Sequence, residues 1–109
     1  MKLDDYQKEA LKRTAFPEIT GPFLFPLLGM CGELGELFEK VKKQFRDNGG
    51  EVTPEFREGI KSEAGDILWY LVNFINEFDI TFEEIAQGNI DKCEDRRKRK
   101  VIHGDGDYR

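Results

Sequence analysis

The chain has 109 residues, of which 36% are charged and 39% hydrophobic, and carries a net charge of −5. That length predicts one domain over residues 1–109, with a core but a high surface fraction that association with further copies would cover. Acids and bases are interspersed until the tail, which counts against nucleic acid and anionic membranes as partners, and no apolar stretch approaches the roughly 20 residues that span a bilayer. Cys31 and Cys93 are too few and too far apart for a disulfide framework or a zinc motif, and the N-terminus lacks signal-peptide character, so a reduced, cytoplasmic protein is expected. Both cysteines fall on apolar helix stripes, where small buried residues are the ordinary reading.

Leu3, Tyr6, Ala10 and Leu11 predict a first helix over about residues 3 to 15, ended by Phe16-Pro17. Residues 17 to 26 hold three of the four prolines and read as a loop carrying exposed or pocket-lining aromatics. A second helix is predicted from about Pro26 to Arg46, stopped by Asp47-Asn48-Gly49-Gly50. Its core stripe reads as Leu27, Met30, Leu34, Leu37, Phe38, Val41 and Phe45, with Glu33 and Glu36 pointing largely away. Thr53 is a good N-cap for a third helix, Pro54 suits its first position, and periodicity continues to about Phe78. Thr81 and Glu84 form a capping-box pattern flanked by Ile80 and Ile85, so a fourth helix begins at Phe82. Phe82, Ile85, Ala86, Ile90 and Cys93 give it an apolar face, and Arg96-Arg97-Lys98-Arg99-Lys100 closes it with cations. The Gly/Asp-rich end reads as irregular and disordered. No strand pattern of useful length is present; the expected class is all-α, a bundle of four main helices.

Two acidic pairs, Glu33-x-x-Glu36 and Glu63-x-x-Asp66, carry the chemistry. Residues three apart on a helix lie one turn along and roughly 60° round from each other, so each pair can converge on one ion. The second pair opens the apolar run Ile67 to Ile75, where an uncompensated carboxylate is costly and a hard divalent cation makes clustered negative charge favourable. Gly59, Glu63, Asp66, Tyr70 and Asn73 fall on one row and form one wall of a pocket. Gly29, Gly32 and Gly35 beside the first pair imply close approach by a partner, because each is unfavourable by about 0.5–1 kcal/mol relative to alanine inside a helix. Four oxygen ligands, Glu33, Glu36, Glu63 and Asp66, point to magnesium, with manganese as a substitute. A bound metal polarises water, and Glu36 is the preferred group to orient or deprotonate that water. His103 is the only histidine, so the Glu-x-x-His pairs of a di-iron bundle are absent.

The order Gly32-Glu33-Leu34-Gly35-Glu36, then Glu63-Ala64-Gly65-Asp66-Ile67-Leu68-Trp69-Tyr70, then Asn89-x-x-Lys92 and Arg96, resembles the MazG family of all-α nucleoside triphosphate pyrophosphohydrolases. Tyr6-Gln7-x-x-Ala10 and Thr14-Ala15 are similar to its short single-domain members. The resemblance implies a helical dimer or tetramer that uses magnesium to cleave a nucleoside triphosphate to the monophosphate and pyrophosphate. It also implies that Lys92 and Arg96 meet phosphate oxygens, that Asn89 bonds a phosphate or sugar, and that Tyr70 stacks on a base. Phosphoribosyl-ATP pyrophosphohydrolysis and a non-enzymatic helical interaction module are the competing readings.

Overall fold

The computed structural model describes residues 1–17, 21 and 23–109, and among them the chain forms four helices: α1 (Leu3–Leu11), α2 (Leu24–Asn48), α3 (Pro54–Asn76) and α4 (Phe82–Lys98). The class is all-α, as expected. Part of the expected loop, residues 18–20 and 22, lies outside the described residues.

The helix boundaries follow local chemistry. Thr53 accepts from the Phe56 amide at 3.1 Å ahead of Pro54, and the reciprocal Thr81/Glu84 box forms, with Thr81 N–H donating to Glu84 at 2.7 Å and Glu84 N–H donating to Thr81 at 3.1 Å. Gly49 and Gly50 take φ values of 62° and 79°, and the Gly50 amide donates back to Gln44 at 3.1 Å, which ends α2 two residues later than expected, at Asn48. α2 also begins two residues early. Pro26 sits third in its first turn, where the missing N–H would have had no partner inside the helix. α1 ends at Leu11, short of the expected residue 15, because the next residues turn through i to i−3 bonds and Thr14 donates its hydroxyl to Asn73 on α3. α3 stops at Asn76 rather than Phe78, and α4 at Lys98.

α2 and α3 form the main pairing, α1 packs on α3, and α4 rests chiefly on α1. That last junction is polar. The buried Gln7 side chain donates to the Ile80 carbonyl at 3.1 Å and accepts from the Phe82 amide at 2.8 Å, while Asp4 accepts from Glu83 N–H at 3.2 Å. α1 thus supplies caps to the exposed amides at the start of α4, a favourable place for acceptors.

The expected α2 stripe divides into two. Pro26, Gly29, Glu33, Leu37 and Lys40 lie on the side turned to α3, whereas Leu27, Leu34, Phe38 and Phe45 lie roughly 100° further round and are 41%, 42%, 66% and 66% exposed. Glu33 therefore does not point away from the packed side, contrary to the sequence reading. Cys31 falls on the open stripe, and both cysteines are exposed rather than buried. α4 is similarly uncovered, with Ile90 at 63%. Only Ala10, Val72 and Ile75 form the buried hydrophobic core among the described residues. The Cα radius of gyration of 16.9 Å exceeds the roughly 13 Å of a compact chain of this length. No helix among the described residues is long and apolar enough to cross a membrane.

Of the three glycines beside the first acidic pair, Gly29 has the close neighbour expected: a Cβ there would run into the Tyr70 ring. Gly32 and Gly35 face open space. Tyr70 in turn lies near-parallel to Phe16, with centroids 6.0 Å apart and 16° between planes, and meets Trp69 edge-on at 5.2 Å.

Candidate metal centre

Helix pairing turns three of the four expected acids onto one point. Carboxylate oxygens of Glu33 and Glu36 on α2 and Glu63 on α3 lie within 4.8 Å of one another. Glu63 is 7% exposed, Glu33 is half-buried and Glu36 is exposed. Hard divalent cations hold ligand oxygens about 2.0–2.6 Å from the ion, so oxygens at this mutual spacing can surround one such cation with little movement. The donor set is all oxygen, with no His or Cys, which suits a hard cation over a thiophilic one. Three like charges, one of them buried, need compensation, which a bound cation would supply.

Asp66 lies one turn beyond Glu63. It is exposed and stands outside the group of three, yet near enough for its charge to bear on Glu33 and on the Tyr6 phenol. Burial first, and Asp66 second, push the Tyr6 hydroxyl above its ordinary value. Tyr6 is thus a neighbour of the centre contributed by α1, which helical periodicity alone marked only as part of an apolar face. Another such neighbour is Lys40, whose Nζ lies 3.4 Å from Glu63. Lys40 follows Glu36 by one turn on α2, and its functional signal in the sequence was masked by the charged run around it.

Burial, then a hydrogen bond with Glu63, then the negative charges of Asp66, Glu63 and Glu36 raise the Glu33 carboxyl from its ordinary value of 4.5. The consequence for stability has a definite sign. Below the unfolded-state value both states are protonated and Glu33 has no effect. As pH rises past about 4.5 the unfolded chain loses the proton before the folded one does, so Glu33 costs stability from that point upward. In metal-free buffer, Glu33→Gln is expected to match the wild type near pH 4 and to become the more stable of the two as pH rises to neutrality. Thermal unfolding of both proteins across that range checks it; a constant difference contradicts it.

The remaining expected site residues are placed differently. Asn73 belonged to the predicted pocket wall but is buried at 3% exposure and engaged within the fold, accepting from Thr14 and donating to the Trp69 carbonyl at 2.9 Å. Tyr70 is half-buried, with Phe16 across one face. Asn89 and Lys92 are exposed on α4, whose main contact is α1, so within one chain they do not join the acidic group. Arg96 is no solvated helix end: it is 8% exposed and donates to the Asp107 carbonyl at 2.7 Å and the Gly106 carbonyl at 3.5 Å, with the Asp107 carboxylate at 3.4 Å. Lys92 also reaches that carboxylate, at 3.3 Å. Lys92 foremost, then Arg96, holds the Asp107 carboxyl below its ordinary value. The Gly/Asp-rich end, expected to be disordered, is irregular but tied down. Arg109 adds to this by donating to the Val101 and Ile102 carbonyls at 3.1 and 2.9 Å.

The pairing of α2 with α3 thus gathers carboxylates from two Glu-x-x-acid turns at one point, a donor set suited to a hard divalent cation. The model of the MazG nucleotide pyrophosphohydrolase domain matches residues 26–101, and the chain belongs to that family. It is also 36% identical over 115 aligned positions, covering all of both chains, to the Gene 37 protein of Mycobacterium phage L5. No solved structure matches.

Proposed function

We propose that this protein is a magnesium-dependent nucleoside triphosphate pyrophosphohydrolase. The supporting observation is the convergence of Glu33, Glu36 and Glu63 from two helices at a partly buried point, where three carboxylates repel one another unless a cation joins them. Magnesium supplies charge neutralisation of the phosphate oxygens and a more acidic water. Glu33 and Glu63, the less exposed members, would hold it, with Asp66 on the next turn of α3 as a further donor. Glu36 is the solvent-facing carboxylate of the three and takes the proton of the attacking water. The bond between the α and β phosphates breaks, the water oxygen stays on the nucleotide monophosphate, and pyrophosphate leaves. Manganese serves as a substitute because it accepts the same oxygen donors.

Association belongs to the same reading. Leu27, Leu34, Phe38 and Phe45 make an apolar line along α2 that stays exposed among the described residues, and so small a core leaves the monomer short of buried surface. A second copy, in a dimer or tetramer, covers that line. Asn89, Lys92 and Tyr70 remain the proposed nucleotide contacts, and Arg96 acts beside Lys92 through its hold on the tail. No membrane is involved, and cytoplasmic residence follows from the nucleotide substrate.

Pyrophosphate release tests the assignment. Canonical, modified and phosphoribosylated nucleotides are each incubated with the protein and magnesium, and phosphoribosyl-ATP distinguishes the related hydrolase. At least one nucleoside triphosphate is expected to yield monophosphate and pyrophosphate in equal amounts, and to stop doing so when magnesium is chelated. Silence across the whole panel removes the enzyme and leaves a helical interaction module.

A further inference from the structure

The ammonium of Lys40 is the one cation paired with the acidic group among the described residues, and it meets the most buried member, Glu63, at 3.4 Å. The pairing is built from both helices. Lys40 lies one turn after Glu36 and two turns after Glu33, so its stem runs along the face of α2 that carries both acids. On α3, one turn before Glu63, stands Gly59; a Cβ at that position would meet the Lys40 Cδ at 3.4 Å, an ordinary contact, so the lysine stem lies directly against α3 there. The side chain is not locked in place. Lys40 is 42% exposed and also lines a groove of about 500 Å³ between the end of α2 and the start of α3, bordered by Lys43, Asn48, Thr53 and Gly59.

We infer that Lys40 is a positioning residue for the metal centre: it acts as the resident counter-cation of Glu63 before the divalent cation binds, and withdraws into the α2–α3 groove when the metal takes that carboxylate. This rests on the hydrolase reading above, and extends it to a residue outside the Glu-x-x-Glu and Glu-x-x-Asp turns. The electrostatics set the direction of each effect. Without metal, Lys40 offsets part of the repulsion among three acids and gives the buried Glu63 a partner. With metal arriving, the same positive charge competes for Glu63 and repels the incoming ion, so Lys40 weakens binding and keeps it reversible. A like charge about 4–5 Å away acts over several kcal/mol only in a dry interior; at this exposure screening reduces it to about one order of magnitude in affinity.

The test uses the full chain with Mn²⁺ alone, followed by calorimetry and by the electron paramagnetic resonance signal of the free ion. Lys40→Met and Lys40→Gln are each expected to bind Mn²⁺ about tenfold more tightly than the wild type, with Lys40→Arg close to the wild type. In metal-free buffer the two neutral variants are expected to melt a few degrees lower and to gain more from added Mn²⁺. An ordinary surface ion pair predicts the lower melting point but no tightening, so Mn²⁺ affinity that is unchanged or weaker in both neutral variants overturns the role of Lys40 while leaving the hydrolase reading intact. Wild-type protein that takes up no Mn²⁺ overturns both together.

Discussion

Glu63→Gln is expected to reduce pyrophosphate release by about a thousandfold or more while the chain stays folded. The substitution keeps the volume of the side chain, removes its charge and replaces one acceptor oxygen by an amide donor. Glu63 is the least exposed of the three acids and the member that α3 adds to the two on α2, so without it only the exposed Asp66 is left to offer a donor from α3. The effect on the metal-free fold has opposing parts. Loss of the Lys40 ion pair costs stability, and loss of repulsion from Glu33 and Glu36 restores some of it, so the melting point without metal moves little. The informative quantity is the stabilisation produced by added magnesium, which is expected to be clear in the wild type and nearly absent in Glu63→Gln. Glu36→Gln gives a useful contrast. It leaves the two less exposed ligands in place, so it is expected to lower turnover more than it lowers metal binding, as befits the group assigned to the water's proton. A Glu63→Gln enzyme with wild-type turnover removes the proposed centre.

The second large effect concerns assembly. The double variant Phe38→Glu/Phe45→Glu is expected to weaken self-association by at least about a thousandfold, seen by sedimentation equilibrium as a shift toward monomer. Each phenylalanine is 66% exposed in the isolated chain, which leaves most of its ring to be buried by a partner. Burial of a phenylalanine contributes about 1.5–3 kcal/mol, and a symmetric interface counts each substitution twice. Placing two glutamates there adds the cost of desolvating unpaired charge. Because only Ala10, Val72 and Ile75 form a buried apolar core among the described residues of one chain, the monomer released in this way is also expected to melt at a lower temperature, and its melting point should cease to depend on protein concentration. A wild-type protein that sediments as a monomer and melts cooperatively contradicts the assignment of the α2 stripe to a second copy.

Much of the architecture is written in short-range signals. Thr53 before Pro54, the Thr81/Glu84 box and the Gly49-Gly50 stop each depend on neighbours within a few residues, and each appears in the structure where the sequence puts it. The two Glu-x-x-acid turns are legible for the same reason, since helical geometry alone aligns residues three apart. Glu33, Glu36 and Glu63 then meet once α2 and α3 pair.

Which side of a helix is packed is a different kind of question. The apolar residues of α2 span a sector wide enough for two contacts, and hydrophobicity by itself does not rank them: Leu27, Leu34, Phe38 and Phe45 are as apolar as the residues that meet α3, yet they are the exposed ones. The choice was made by shape and by partners across the pair. Gly29 accommodates the Tyr70 ring, and that register turns Glu33 toward Glu63 instead of toward solvent. Contacts between residues far apart in the chain decided the remainder. Asn73, on the same row as the acids, is taken by Thr14; Arg96, in a run of five cations, is the one drawn in by Gly106 and Asp107; Lys40 is the lysine that reaches Glu63.

Local chemistry specifies four helices, two of them opened by threonine caps, and the two acidic turns, because caps, stops and helical periodicity act over a few residues along the backbone. Helix packing settles which face of α2 meets α3, which carboxylates share a point and which cation stands beside them. Those outcomes depend on the relative rotation of two packed helices, a degree of freedom that local chemistry leaves open.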